Sequence, residues 1–159
     1  MEKVVIEKEI KINAPIENVW EVLTSDEMYR KWTIVFCEGS HFETDWKEGS
    51  KVLFKTPLGE GLVSKIIESR PNEIISLEHQ GVLFNNEEVF DNEEAEKWKG
   101  LKEIYSLSDQ DGNTVLKIYQ ELDKSYEEWS SHTWNMALKI LKELAETGES
   151  KEYEKIVNP

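Results

Sequence analysis

Aliphatic and charged side chains alternate from Val4 to Ile12, which predicts a strand with one buried and one exposed face. Pro15 follows at a position suited to the first turn of a helix. From Ile16 to Leu23 the apolar residues recur at helical spacing, which predicts a short helix. Thr24 and Glu27 have the spacing of a capping box and predict a second short helix.

The middle of the chain is typical of an antiparallel sheet. Short segments rich in β-branched and aromatic residues are bounded by Gly, Pro and Asn turns, and they predict strands at Lys51–Lys55, Gly61–Ser69, Ile74–His79, Leu101–Leu107 and Thr114–Leu122. A further edge strand is expected at His41–Thr44. Connections this short favour antiparallel pairing, because parallel strands need a long crossover.

Two stretches lie outside these periodic elements. Residues 85–99 carry six acids and two lysines without alternation, so we expect a loop or lid in which Asp91 caps one or two helical turns. Residues 149–159 follow the last periodic element and are expected to form a C-terminal tail. Residues 1–148 are expected to form one domain.

A long helix is predicted from Ser125 to Thr147, ended by Gly148. The C-terminal half of its apolar face is rich in leucine. The N-terminal half carries the small residues Ser130, Thr133 and Ala137 beside Trp134. Small side chains opposite a curved sheet predict a cavity there, although close packing of another backbone segment would use them equally well.

Composition narrows the function classes. The chain of 159 residues carries 33 acidic and 19 basic side chains, a net charge of −14, which argues against binding to nucleic acid or to anionic membrane surfaces. Cys37 is the only cysteine, which rules out an intrachain disulfide. The N-terminus resembles no signal peptide, and no apolar run is long enough for membrane insertion. We therefore expect a cytoplasmic protein.

The order of elements and several motifs resemble the START-like, or helix-grip (SRPBCC), superfamily. Within it, the segment Ala14–Thr24 followed by Trp32 resembles the opening motif of the homologues of the activator of heat-shock-protein-90 ATPase. The turns at Glu48–Ser50, Gly61, Arg70–Glu73 and Gly112–Leu116, and the end helix with Trp134, Leu138 and Leu141, are also similar to that family. The resemblance spans residues 3–146. It implies an α+β fold in which about six or seven antiparallel strands curve around the C-terminal helix.

Polar residues on predicted inward strand faces are the best site candidates. His79, Glu103, Tyr105 and Gln120 interrupt faces that are otherwise apolar, which is typical of a small-molecule pocket. Pairing among themselves, or exposure at strand ends, would explain each one equally simply. The predicted ligand-cavity residues are Trp20, His79, Glu103, Tyr105, Leu116, Ile118, Gln120, Ser130, Thr133, Trp134 and Ala137. No metal or cofactor is expected, since His41, His79 and His132 lack metal-ligand spacing.

Three functions fit this sequence. The leading hypothesis is a non-enzymatic protein, monomeric or a weak homodimer, that binds a small, largely apolar molecule between the sheet and the C-terminal helix. Some helix-grip relatives are polyketide cyclases or aromatases, so the resemblance also implies an enzyme with Glu103, His79 and Tyr105 as acid/base groups. A co-chaperone-like interaction domain is the third hypothesis. We expect no ATPase activation, because one domain accounts for the chain without a separate partner-binding domain.

Overall fold

The alternating and helical patterns of the sequence appear as discrete elements in the computed structural model, which describes residues 2–159. The strands are β1 (Lys3–Ile12), β2 (His41–Glu43), β3 (Lys51–Lys55), β4 (Gly61–Arg70), β5 (Ile74–Phe84), β6 (Glu87–Val89), β7 (Lys102–Gln110) and β8 (Asn113–Asp123). The helices are α1 (Ile16–Thr24), α2 (Asp26–Trp32), α3 (Glu93–Trp98), α4 (Glu127–Thr147) and α5 (Lys151–Val157). A single 3-10 turn at Lys124–Tyr126 leads into α4.

The strands form one antiparallel sheet in the order β1-β8-β7-β5-β4-β3-β2, with the short β6 paired to β5. A register shift between Val63 and Ser64 marks an irregularity where β4 pairs with β5, and such bulges bend a sheet. Helix α4 packs against α1, α2 and β1. The main core cluster combines inner-face strand residues with residues of α1, α2 and α4. The expected helix-grip α+β fold is confirmed. No helix between residues 2 and 159 is long and apolar enough to cross a membrane.

Two helix starts lie one residue later than predicted. The side chain of Ser25 accepts a hydrogen bond from the Met28 amide at 3.2 Å and caps α2, whereas the Thr24 hydroxyl donates to the Trp20 carbonyl at 2.8 Å. An N-cap needs an extended backbone just before the first turn, which Ser25 has and a helical Thr24 lacks. The cap of α3 is Asn92, not Asp91, because the Asn92 side chain accepts a hydrogen bond from the Ala95 amide at 2.7 Å.

The acidic stretch and the tail are more regular than the sequence suggested. Strand β5 continues to Phe84 and turns into β6, so residues 85–99 form a short hairpin arm followed by α3 instead of an open loop. Gly81 allows the end of β6 to approach β5 closely, since a Cβ there would lie 2.5 Å from the Val89 carbonyl oxygen. Beyond Gly148, the chain forms α5, capped by Ser150, and Tyr153 packs against the core.

Candidate functional site

A cavity of about 240 Å³ lies between the inner face of the sheet, α2 with the segment after it, α3, and the start of α4. Its walls are mostly aromatic. Nine aromatic side chains line it: Tyr29, Trp32, Phe36, Phe54, Trp98, Tyr105, Tyr126, Trp129 and Trp134. Many of these rings contact one another, with Phe36 edge-on to Trp134 at 5.0 Å between ring centroids. Because these rings contact one another, their orientations are fixed and the cavity between them stays open.

Sheet register places a row of polar side chains across the floor of this region. Ser64 on β4 lies directly opposite His79 on β5, and Glu103 on β7 lies opposite Gln120 on β8. Tyr105 is two residues after Glu103 and therefore faces the same side of the sheet. All five residues are at least nine-tenths buried. Four adjacent strands thus bring these polar groups together beneath α4.

The hydrogen bonds in this row have a defined direction. The Trp134 indole Nε1–H can only donate, and it lies 3.0 Å from Gln120 Oε1, which also accepts from the Ser130 hydroxyl at 2.8 Å. Gln120 must therefore turn its Nε2 toward Glu103, where it donates to Oε1 at 3.1 Å. The Tyr105 hydroxyl donates to the other oxygen, Oε2, in a short hydrogen bond. Both carboxylate oxygens accept, so the arrangement favours the ionised form of Glu103.

The electrostatics of Glu103 follow from these contacts. Burial by itself raises the pKa of this carboxyl, but hydrogen bonds and the charge of nearby His79, with the donors Tyr105 and Gln120, hold the pKa below its usual range. Burial and the adjacent Glu103 charge raise the pKa of Tyr105 well above its ordinary value. The tyrosine therefore keeps its proton and the glutamate releases its own. The site holds a buried negative charge.

His79 completes the row without entering the cavity lining. Its Nδ1 lies 2.7 Å from the Ser64 hydroxyl, and its Nε2 lies 3.6 Å from Glu103 Oε1. That distance is too long for a hydrogen bond, and Nε2 has no hydrogen-bond partner within residues 2–159. Serine, histidine and glutamate also make up hydrolase triads, but Ser64 is 1% exposed and does not reach the cavity. Ser64 and His79 therefore support Glu103 structurally.

The structure divides the predicted cavity residues into three groups. Glu103, Tyr105, Gln120, Ser130 and Trp134 line the cavity. His79 lies behind Glu103, as described above. The third group does not line the cavity. It consists of Trp20 and four residues that are buried in the core: Leu116, Ile118, Thr133 and Ala137.

The reasons for the misplaced residues are geometric. Only the first two turns of α4 reach the cavity, and Ala137 lies further along the helix, fully buried in the core cluster. The small side chains there serve close packing, the alternative that the sequence left open. The Thr133 hydroxyl donates to the Trp129 carbonyl within the helix at 2.7 Å. Trp20 is only partly buried and lines a separate surface cleft with Trp46.

Sequence reasoning missed several wall residues. Phe36 lies in an irregular segment after α2, and Trp98 lies at the end of the acidic stretch, so neither belongs to a periodic pattern. Trp129 is 54% exposed and stands at the cavity mouth, one residue before the predicted small face of α4. Aromatic residues in otherwise polar segments were the available signal, because bulky rings are rarely left without a packing or binding role.

Comparison with known proteins identifies the family of this chain. The chain belongs to the family described as Activator of Hsp90 ATPase homolog 1-like protein, which it matches over residues 13–146. This is the START-like, helix-grip class that the architecture defines. No curated protein matches the chain significantly.

Solved structures show the same fold at low sequence identity. The Aha1 dimer from Colwellia psychrerythraea is 21% identical, with a TM-score of 0.69, covering 91% of this chain and 98% of that one. ChR145 from Cytophaga hutchinsonii is 22% identical, with a TM-score of 0.67, covering 91% and 95%. DynU16, from the dynemicin biosynthetic locus, is 14% identical with a TM-score of 0.70, and 92% of this chain covers only 48% of it. These similarities establish the fold alone.

Proposed function

We propose that this protein binds a small, largely apolar molecule in the cavity between its sheet and α4. The observation that supports this is the cavity itself, about 240 Å³ of space walled by aromatic rings with a few polar groups at one end. An engineered apolar cavity of about 150 Å³ is large enough to take up benzene. The space here is therefore sufficient to enclose one ring with a short substituent, and a larger molecule can extend past the exposed Trp129 at the mouth.

The polar end would fix the orientation of the ligand. Glu103, Tyr105 and Gln120 are already paired with one another, so they are held in place before a ligand arrives. Pre-organised groups lose little side-chain entropy on binding. The ligand's apolar part would contact the rings of Phe36 and Trp134, and its polar part would face Glu103.

Binding of a neutral fluorescent probe tests this proposal. N-phenyl-1-naphthylamine should bind saturably to the wild-type protein with increased fluorescence. Leu62→Trp, which adds bulk to the cavity wall, should reduce this binding severalfold, because the space becomes smaller. The matched control is Leu58→Trp, near the tip of the same β3–β4 hairpin but 70% exposed and outside the cavity.

Binding that is unchanged by Leu62→Trp, or the absence of any saturable binding, would refute the cavity as the binding site. Native mass spectrometry of the purified protein gives an independent measurement, since a retained ligand would appear as a fixed mass increment. Size-exclusion chromatography with light scattering would test the proposed monomer or weak homodimer, a question raised by the dimeric Colwellia structure.

A polyketide cyclase-like enzyme is the second candidate, supported by the buried acid next to a tyrosine and a histidine. The resemblance to helix-grip relatives that are polyketide cyclases prompts this candidate, and DynU16, which shares the fold, is encoded in a biosynthetic locus. A general base works best when its pKa is near the working pH. The hydrogen bonds to Glu103 instead hold its pKa low, which makes it a weak base. The geometry therefore favours binding over catalysis.

A further inference from the structure

The polar end of the cavity carries a negative charge that lacks a hydrogen-bonded cation. Glu103 accepts one hydrogen bond on each oxygen, from Tyr105 and from Gln120, and both donors are neutral. A carboxylate oxygen has a second lone pair, so acceptor capacity remains on the side that faces the cavity. Burying a carboxylate is costly unless a positive charge compensates it.

The basic side chains near this carboxylate leave its cavity side without a cation. Lys55 lines the cavity, but its Nζ lies 3.0 Å from Glu43 Oε1 and the pair is neutral overall. His41 also lines the cavity, with its Nδ1 3.0 Å from the Gly39 carbonyl oxygen. His79 lies outside the cavity lining, behind the carboxylate. Its 3.6 Å separation from Glu103 exceeds the usual length of a charge-assisted hydrogen bond, about 2.7–2.9 Å.

The walls around Glu103 are suited to a cation. The Tyr105 ring contacts Trp134 at 6.0 Å between centroids, and Trp32 stacks on Trp134 at 5.9 Å. Both Tyr105 and Trp134 belong to the hydrogen-bond network that ends on Glu103. The faces of such rings attract ammonium groups, most strongly where water is excluded. A net charge of −14 also raises the local concentration of cations around the protein.

We propose that the ligand is an organic cation, a protonated or quaternary amine attached to an apolar body of about one aromatic ring, with its charge between Glu103 and the rings of Tyr105 and Trp134. This inference rests on the proposed function, because it specifies the class of molecule that the same cavity binds. A small carboxylate would instead have to approach Glu103 or separate Lys55 from Glu43. A neutral molecule would leave Glu103 without a charged partner on the cavity side.

A pair of molecules that differ only in charge tests this inference. Benzyltrimethylammonium and neopentylbenzene have the same shape, with a quaternary nitrogen in one and a carbon in the other. Both are used to displace N-phenyl-1-naphthylamine from the wild-type protein. We expect the cation to displace the probe at a concentration at least about tenfold lower than neopentylbenzene does. A tenfold difference corresponds to roughly 1.4 kcal/mol of binding free energy. A third compound, 3-phenylpropionate, carries the opposite charge and should compete weakly.

Charge removal at Glu103 assigns the preference to this residue. Glu103→Gln keeps the size of the side chain, and it should reduce the preference for the cation over neopentylbenzene to about threefold or less. Glu121→Gln is the matched control, because Glu121 is also buried and hydrogen-bonded but lies outside the cavity lining. It should keep the full preference.

Each outcome separates this inference from the proposed function. If neopentylbenzene displaces the probe as well as the cation does, or 3-phenylpropionate displaces it better, the cation inference is wrong and cavity binding stands. If the wild-type protein binds neither probe nor competitor, the proposed function fails and the inference with it. If Glu103→Gln does not fold, the wild-type comparison still decides the preference, and Tyr105→Phe gives a second test because it removes a donor that holds Glu103 in place.

Discussion

Gln120 is the side chain on which the buried polar network depends. Its amide accepts from Trp134 and Ser130 on α4 and donates to Glu103 on β7, so it joins the helix to the sheet. Gln120→Leu keeps the approximate volume and removes all three hydrogen bonds. The substitution therefore measures the polar contribution with little change in packing.

The expected cost can be worked from the partners left behind. The Trp134 indole N–H, in a side chain that is 2% exposed, loses its acceptor, which costs about 1–3 kcal/mol. Glu103 loses one of its two donors, at about 1.5–3 kcal/mol for a charged group. The Ser130 hydroxyl can turn to a carbonyl of its own helix, so it adds little. Leucine recovers about 1 kcal/mol through its additional apolar surface. We expect a net loss of about 1.5–5 kcal/mol.

Urea unfolding followed by tryptophan fluorescence measures this loss as a lower midpoint with an unchanged slope. Tyr119→Phe is the control on the neighbouring, outward-facing position of β8, where the hydroxyl bonds Glu121 at 2.7 Å. It should cost less than about 1 kcal/mol. If Gln120→Leu unfolds within about 1 kcal/mol of the wild-type protein, the network does not carry the stability reasoned here.

Three further predictions test other parts of the structure. Trp32→Ala should lower the free energy of unfolding in urea by about 3–5 kcal/mol, because Trp32 is 2% exposed. Trp20→Ala should cost clearly less, because Trp20 is only partly buried, and equal costs would contradict this difference in burial. Ala137→Leu should cost about 1–3 kcal/mol, since its site is filled core, and a neutral result would reveal space there. The pKa of Glu103 lies below the ordinary glutamate value of 4.5 in the folded protein, so its stabilising contribution is present above that value and is lost as the pH falls. The stability advantage of the wild-type protein over Glu103→Gln should therefore shrink as the pH falls below 4.5, and a constant difference would disprove the lowered pKa.

Much of the fold could be predicted from the sequence because it depends on local patterns. Alternation in Val4–Ile12 and helical spacing in Ile16–Leu23 predicted β1 and α1 nearly to the residue. The polar interruptions Glu103, Tyr105 and Gln120 were also visible, since a strand's two faces follow directly from its period of two. The sequence alone therefore indicated the helix-grip architecture and the polar end of the cavity.

Only the tertiary structure decided which residues surround the cavity. Helical periodicity assigns Ser130 and Ala137 to one face of α4, but it does not say that the first lines the cavity while the second lies further along the helix, in the filled core. Phe36 and Trp98 come from segments without periodicity, and they reach the cavity only because the chain folds back across the sheet. Local patterns indicate which side of a helix or strand is buried. Which residues pack against that side depends on contacts between residues far apart in the chain.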